Sequence, residues 1–244
     1  MRTALAIFVC CLAAMSAAAM AEPHADLGRI LAQVEAAYGG RDAITAIPGF
    51  RASGKILSLA DGVNGRIRLI VDLGGRMRTE IDYPSRHEVR ILSGRLAWNG
   101  DPQGQSSANA AMATSMRLQF HRVAAPFELV EASPGELELL EDGDDGLWRV
   151  SRQWSTDSSR TTYEIDPETG WIVRVRGEMA AGHEPLEFVS ESADFRDIEG
   201  VMFPFRITTI ISGQVASETI VDRVRVESEF RAVDFLPTGS AEDF

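Results

Sequence analysis

The chain has 244 residues and a formal net charge of −12, with 36 aspartates and glutamates against 24 lysines and arginines. That balance argues against nucleic acid and against electrostatic docking on anionic lipid, since both need clustered cations. Two cysteines and four histidines leave little material for thiol or metal chemistry.

Residues 1–21 read as a secretory signal. Arg2 forms a short positive region, and the run from Ala4 to Ala14 is apolar through Ile7, Phe8, Val9 and Leu12. Ala19-Met20-Ala21 is a small-x-small cleavage site before Glu22. The run falls short of the ~20 apolar residues of a permanent span. Cys10 and Cys11 lie inside it, so cleavage removes both thiols. A lipoprotein signal is the competing reading, but Phe8 and Val9 stand where it needs small residues. The expectation is a periplasmic protein in which 22–244 form one domain, held by its core rather than by disulfides. No later segment is apolar enough to span a bilayer.

Leu27, Ile30, Leu31, Val34 and Tyr38 recur at helical spacing, with Asp26 to cap the start and Gly39-Gly40 to end it. A short helical turn is expected over 41–47. From Phe50 the period changes to two. Ile67, Leu69 and Val71 share one face, and Met77, Ile81 and Tyr83 share another, with Gly74-Gly75 as the hairpin between them. Further strands are expected at 86–92 and 95–99, followed by a loop over 100–108. Met112, Met116, Phe120 and Val123 then predict a helix over 109–123, and Pro126 separates it from a short helical piece at 127–130.

A second β series follows, at 136–141, 147–154, 160–166, 171–179, 185–196, 202–212 and 215–228. Trp171, Val173 and Val175 are expected on one face, Arg174 and Arg176 on the other. About eleven antiparallel strands cannot stay flat, and a strongly bent sheet needs its concave side filled. The fold expected is mainly β (α+β). It is an open, curved antiparallel half-barrel with two or three helices against the concave face.

Catalytic signatures are missing: no nucleophile elbow, phosphate-binding loop, dinucleotide fingerprint or zinc-helix motif is found. His24, His87, His121 and His183 are scattered without ligand spacing. The acidic stretch Glu141–Gly146 has calcium-loop composition but misplaces its glycine, so a solvated turn is preferred. Neither enzyme activity, a cofactor nor a metal is expected. The positive signal is apolar. Met112, Met116 and Phe120 form a soft stripe, and Met77 and Met202 fall on inward faces. Methionine suits a variable ligand, and it fills cores equally well. Arg152 shares a face with Trp148, Val150 and Trp154. It either reaches water at a sheet edge or stands at a cavity mouth to meet a phosphate or carboxylate headgroup.

Tyr38-Gly39-Gly40-Arg41-Asp42-Ala43 follows the first helix, and Phe50-Arg51-Ala52-Ser53-Gly54 opens the first strand. Tyr163–Trp171 contains Asp166-Pro167-Glu168-Thr169-Gly170, and Asp194–Pro204 contains Glu199-Gly200-Val201-Met202-Phe203. With these segments the chain resembles the periplasmic outer-membrane lipoprotein-sorting-like proteins, the LolA/LolB-like superfamily of the lipoprotein carrier and its outer-membrane receptor. The resemblance implies an open eleven-stranded half-barrel, lidded by helices, whose apolar concave face takes acyl chains. The function expected is periplasmic binding of a lipid, acyl chain or lipoprotein anchor, with an envelope protein as a possible partner. Met77, Met112, Met116, Phe120, Trp148, Arg152, Trp154 and Met202 are the candidate ligand contacts. A non-catalytic envelope module with a filled core is the second reading, and a hydrolase using one of the histidines the third.

Overall fold

In the computed structural model, residues 23–141, 144–156, 158–181 and 184–238 are described, except for the side chains of 23–26, 181 and 184. The signal segment, Cys10, Cys11, the side chain of His24, Asp142, Gly143 and His183 lie outside them. The first helix, α1 (Pro23–Ala37), buries the expected stripe of Leu27, Ile30, Val34 and the following Tyr38. It starts upstream of Asp26, which therefore lies within it. A short α2 (Arg41–Thr45) follows Gly39 and Gly40, which both hold positive φ.

Six strands come next: β1 (Gly49–Ser58), β2 (Val63–Asp72), β3 (Arg76–Asp82), β4 (His87–Ser93), β5 (Leu96–Asp101) and β6 (Gly104–Ser107). Then α3 (Ala110–Val123) and α4 (Ala125–Glu131) lead to β7 (Leu137–Leu140), β8 (Trp148–Gln153), β9 (Arg160–Ile165) and β10 (Ile172–Ala181). The last strands are β11 (Glu184–Ile198), β12 (Val201–Ile211) and β13 (Gln214–Val226). Asn109 caps α3, its Oδ1 accepting from the Met112 N–H at 2.9 Å.

All thirteen strands form one open antiparallel sheet in the order β6-β5-β4-β3-β2-β1-β13-β12-β11-β10-β9-β8-β7. Two meanders thus meet where β1 pairs with β13. The edges are β6 and β7, and α3-α4 connects them. The α3 helix touches β4 and β5 in one meander and β9 and β10 in the other, so it bridges the bend. Four helices pack here rather than two or three, two of them very short.

The strand count is higher than expected, and the strand not foreseen is β6, in the stretch read as a loop at 100–108. Gln105, Ser106 and Ser107 have no apolar face to announce a strand. Backbone pairing with β5 holds them at the sheet edge. A second correction concerns β10. The register shifts between Ile172 and Arg174, so Ile172 and Val175 enter the core while Val173 is the extra residue of a bulge.

The main core lies between the helices and one face of the sheet, from Met77 and Leu92 on one side to Tyr163 and Ile165 on the other. Phe50 and Phe203 meet edge-to-face at its centre, with ring centroids 5.1 Å apart. The opposite face is not uniformly wet. After β13 the chain makes a 3-10 turn, Ala232–Phe235, whose Phe235 seals Val89 and Ile91 of β4. The segments quoted for the family resemblance meet in space. A Cβ on Gly39 would stand 1.8 Å from the Gly200 carbonyl oxygen, and Gln33 of α1 donates to the Pro167 carbonyl at 2.6 Å.

Candidate functional site

The helices leave one end of the bent sheet uncovered. Between the β1–β3 and β11–β13 regions, beside α3, lies a cavity of about 320 Å³. That is within the range of small-ligand sites, near its lower end. Its walls are mostly apolar: Ile67 and Leu69 of β2, Ile81 of β3, Phe188 of β11, Phe203 and Ile207 of β12. Hydroxyls of Ser190, Thr209 and Thr219 interrupt them. At the rim Ile211 is exposed, as are nearby Leu59 and Val215. Glu88 and Arg90 also line the cavity, paired with each other at 2.9 Å, and Arg86 binds Glu88 at 3.1 Å.

The face of α3 that lines the cavity is Ser115, Gln119, Arg122 and Val123. Gln119 donates to Thr79 at 3.4 Å, tying the helix to β3. Arg122 is the notable member. Its Nε donates to Ser190 Oγ at 3.0 Å, and its guanidinium carbon lies 5.4 Å from the centre of the Phe188 ring. Its Nη1 is buried and has no hydrogen-bond partner, and no carboxylate among the described residues pairs with it. Desolvation pushes its pKa down to about 10. Gly177 on β10 makes this placement possible, for a Cβ there would lie 3.0 Å from Leu118 and 3.3 Å from Arg122 Nη1. Among the described residues, no group of three or more His, Cys, Asp or Glu could hold a metal ion. Nor is any described helix long and apolar enough to cross a membrane.

No protein-family model matches the chain, and no curated protein sequence does either. Solved structures do. A LolA superfamily protein from Nitrosomonas europaea aligns with TM-score 0.54 at 14% identity, over 86% of this chain and 97% of that one. A domain from Vibrio parahaemolyticus assigned to outer membrane lipoprotein sorting gives 0.51 at 11% identity, over 85% and 94%. A DUF1329 family protein from Desulfovibrio piger gives 0.54 at 11% identity, over 88% and 97%. The fold is LolA-like.

Within this LolA-like sheet the eight residues singled out from sequence lie apart from the cavity walls. Met77, Met116 and Phe120 are buried in the main core, and Met112, Trp148 and Met202 pack against it. Trp154 stacks on His121 with centroids 3.7 Å apart and donates to Thr161 at 2.9 Å. Arg152 lies over Trp154 at 4.2 Å and pairs with Glu136 at 2.8 Å. Thus the structure gathers six of the eight in one packed layer and stacks the other two on each other.

Beside Arg90, which Glu88 pairs, the cation that lines the cavity is Arg122, which sequence reasoning passed over. Ser115, Gln119 and Arg122 read as the wet side of an amphipathic helix, because three polar residues at that spacing normally meet solvent. Here α3 sits in the bend of a LolA-like sheet, so its polar side faces protein as well. An arginine one position before the end of an apolar stripe is a faint signal. Only the packing of α3 on β10 makes it meaningful.

Proposed function

We propose that this protein binds the acyl chain of a lipid or of a lipoprotein anchor in its concave cavity, as a carrier or sorting component of the cell envelope. The observation that carries this reading is the apolar cavity at the uncovered end of a LolA-like half-barrel. Each chain methylene buried there contributes about 0.8 kcal/mol, so binding grows with chain length. The reading includes export to the periplasm on residues 1–21, supported by the signal pattern in the sequence. It is a binding function rather than a catalytic one. In it, the eight sequence-chosen residues are contacts that a ligand meets only where α3 and α4 lift from the sheet.

Lipid extraction and mass spectrometry of natively purified protein test the proposal, together with displacement of the apolar fluorophore N-phenyl-1-naphthylamine by long-chain alcohols. Co-purifying lipid and displacement that strengthens with chain length are expected. No lipid and no displacement would overturn it. The packed layer around Met116 and Phe120 favours the second reading, a filled envelope module, which predicts that negative result.

A further inference from the structure

The cavity contains a feature that an apolar chain alone does not use. Arg122 has the Phe188 ring beside it and its Nη1 close to Gly177. Its single hydrogen bond goes to a neutral hydroxyl, Ser190, and Nη1 is left without any partner. Taking a guanidinium out of water is costly unless an anion meets it. Elsewhere in this chain arginines meet that need. Arg174 and Arg176 hold Glu164 at 2.5 and 2.6 Å, and Arg51 holds Asp234 at 2.8 Å. Arg122 breaks that pattern: its Nη1 is buried beside Gly177, while the residue itself lines the cavity.

We propose that Arg122, steadied by Ser190, is the receptor for the anionic head of a single-chain amphiphile whose tail lies in the cavity. This rests on the chain-binding function proposed above and adds the head chemistry to it. The planar guanidinium suits a carboxylate or a phosphate. Near the lower end of the small-ligand range, the cavity fits one chain better than several. The oxygen-rich wall of Ser190, Thr209 and Thr219 offers donors for the remaining lone pairs of such a head.

The test measures displacement of N-phenyl-1-naphthylamine from the purified protein by oleate, oleoyl lysophosphatidate and oleyl alcohol, which share one tail. Either anion is expected to bind at least about tenfold tighter than the alcohol, from one charge-assisted hydrogen-bonded contact. Whichever anion is stronger identifies the head as carboxylate or phosphate. Arg122→Met should erase the preference, so that both anions bind no tighter than the alcohol. It should also raise the Tm of the ligand-free protein, by about 2–4 °C, because an uncompensated cation is gone. A purely structural arginine predicts the opposite, a lower Tm with the preference intact, and that would overturn the assignment. If all three ligands bind alike to the wild type, the anion receptor is overturned while chain binding stands. If none binds, both fall. The wild-type comparison decides the matter even if the methionine variant does not fold.

Discussion

The phenol oxygen of Tyr38 accepts a hydrogen bond from the backbone N–H of Ile172 at 3.2 Å, joining the end of α1 to the bulge of β10 across 134 positions of sequence. Tyr38 is buried, and burial raises its pKa well above the usual phenol range, the Ile172 bond opposing only part of the rise. The phenol thus stays a neutral partner for a backbone group that the bulge removes from the ladder. Tyr38→Phe leaves that N–H buried and unpaired, and a loss of about 1–3 kcal/mol is expected. The urea midpoint should fall with an unchanged slope.

Gly39 makes the neighbouring junction. It holds φ of +108°, and a Cβ there would collide with the Gly200 carbonyl at the β11–β12 turn. Gly39→Ala is therefore expected to cost more than the roughly 1–2 kcal/mol of a left-handed alanine alone. Gly40 also has positive φ, but nothing lies within 4 Å of its would-be Cβ. Gly40→Ala serves as the control, and the difference between the two Tm values measures the collision.

On the convex face Glu164 is fully buried between Arg174 and Arg176, with Arg149 at 3.8 Å. Glu164→Gln keeps the shape and removes the charge. The arginines retain Glu191 and Glu187 and some contact with water, which moderates the penalty of a broken buried pair. A loss of about 2 kcal/mol is expected in denaturant melts, and it should persist in high salt.

Asp234 predicts an acid-sensitive contact. Burial by itself raises its carboxyl pKa, but hydrogen bonds and charge from Arg231 and Arg51 outweigh that and hold it below the usual range. A carboxyl depressed in the folded state stabilises the protein above the unfolded value of about 3.9, and that contribution is lost as pH falls through the folded pKa. Asp234→Asn should therefore be less stable than wild type at pH 7. The gap should close at acid pH as the wild-type carboxyl takes up its proton. Melts at pH 7, 5 and 3 follow it.

Met116 and Thr209 separate stability from binding. Met116 is 1% exposed in the main core, so Met116→Arg buries an unpaired charge and should unfold the protein whether or not a ligand binds. Thr209 lines the cavity. Thr209→Trp should keep the Tm within a few degrees yet weaken fluorophore binding at least about tenfold, since it occupies the space the ligand needs. Equal binding by this variant and the wild type would place the ligand elsewhere.

Much of this fold is legible in the sequence, for local reasons. Period-two runs such as Ile67-Leu69-Val71 mark strands that bury one face, and the stripes of α1 and α3 mark helices that bury one side. Gly39-Gly40, Gly74-Gly75 and Asp166–Gly170 mark the ends. These are interactions between neighbours in the chain, and they write themselves into spacing. The strand β6 escaped because backbone pairing leaves no trace in side-chain pattern. The bulge at Val173 escaped because one extra residue shifts every later position to the other face.

The candidate site is different in kind. Sequence determined that a curved apolar surface exists and which side chains could cover it, because hydrophobic burial depends on composition and period. It pointed to Met112, Met116 and Phe120, which the helices pack into the core. Tertiary structure alone decided where packing stops and the cavity begins, since that depends on how α3 spans the bend from β4–β5 to β9–β10. It also decided that Arg122 lies over Gly177 without a carboxylate partner among the described residues. A charge's partner is a matter of distance in space: β10–β11 pairing sets residues 177 and 190 near each other, and the packing of α3 on β10 brings residue 122 to them.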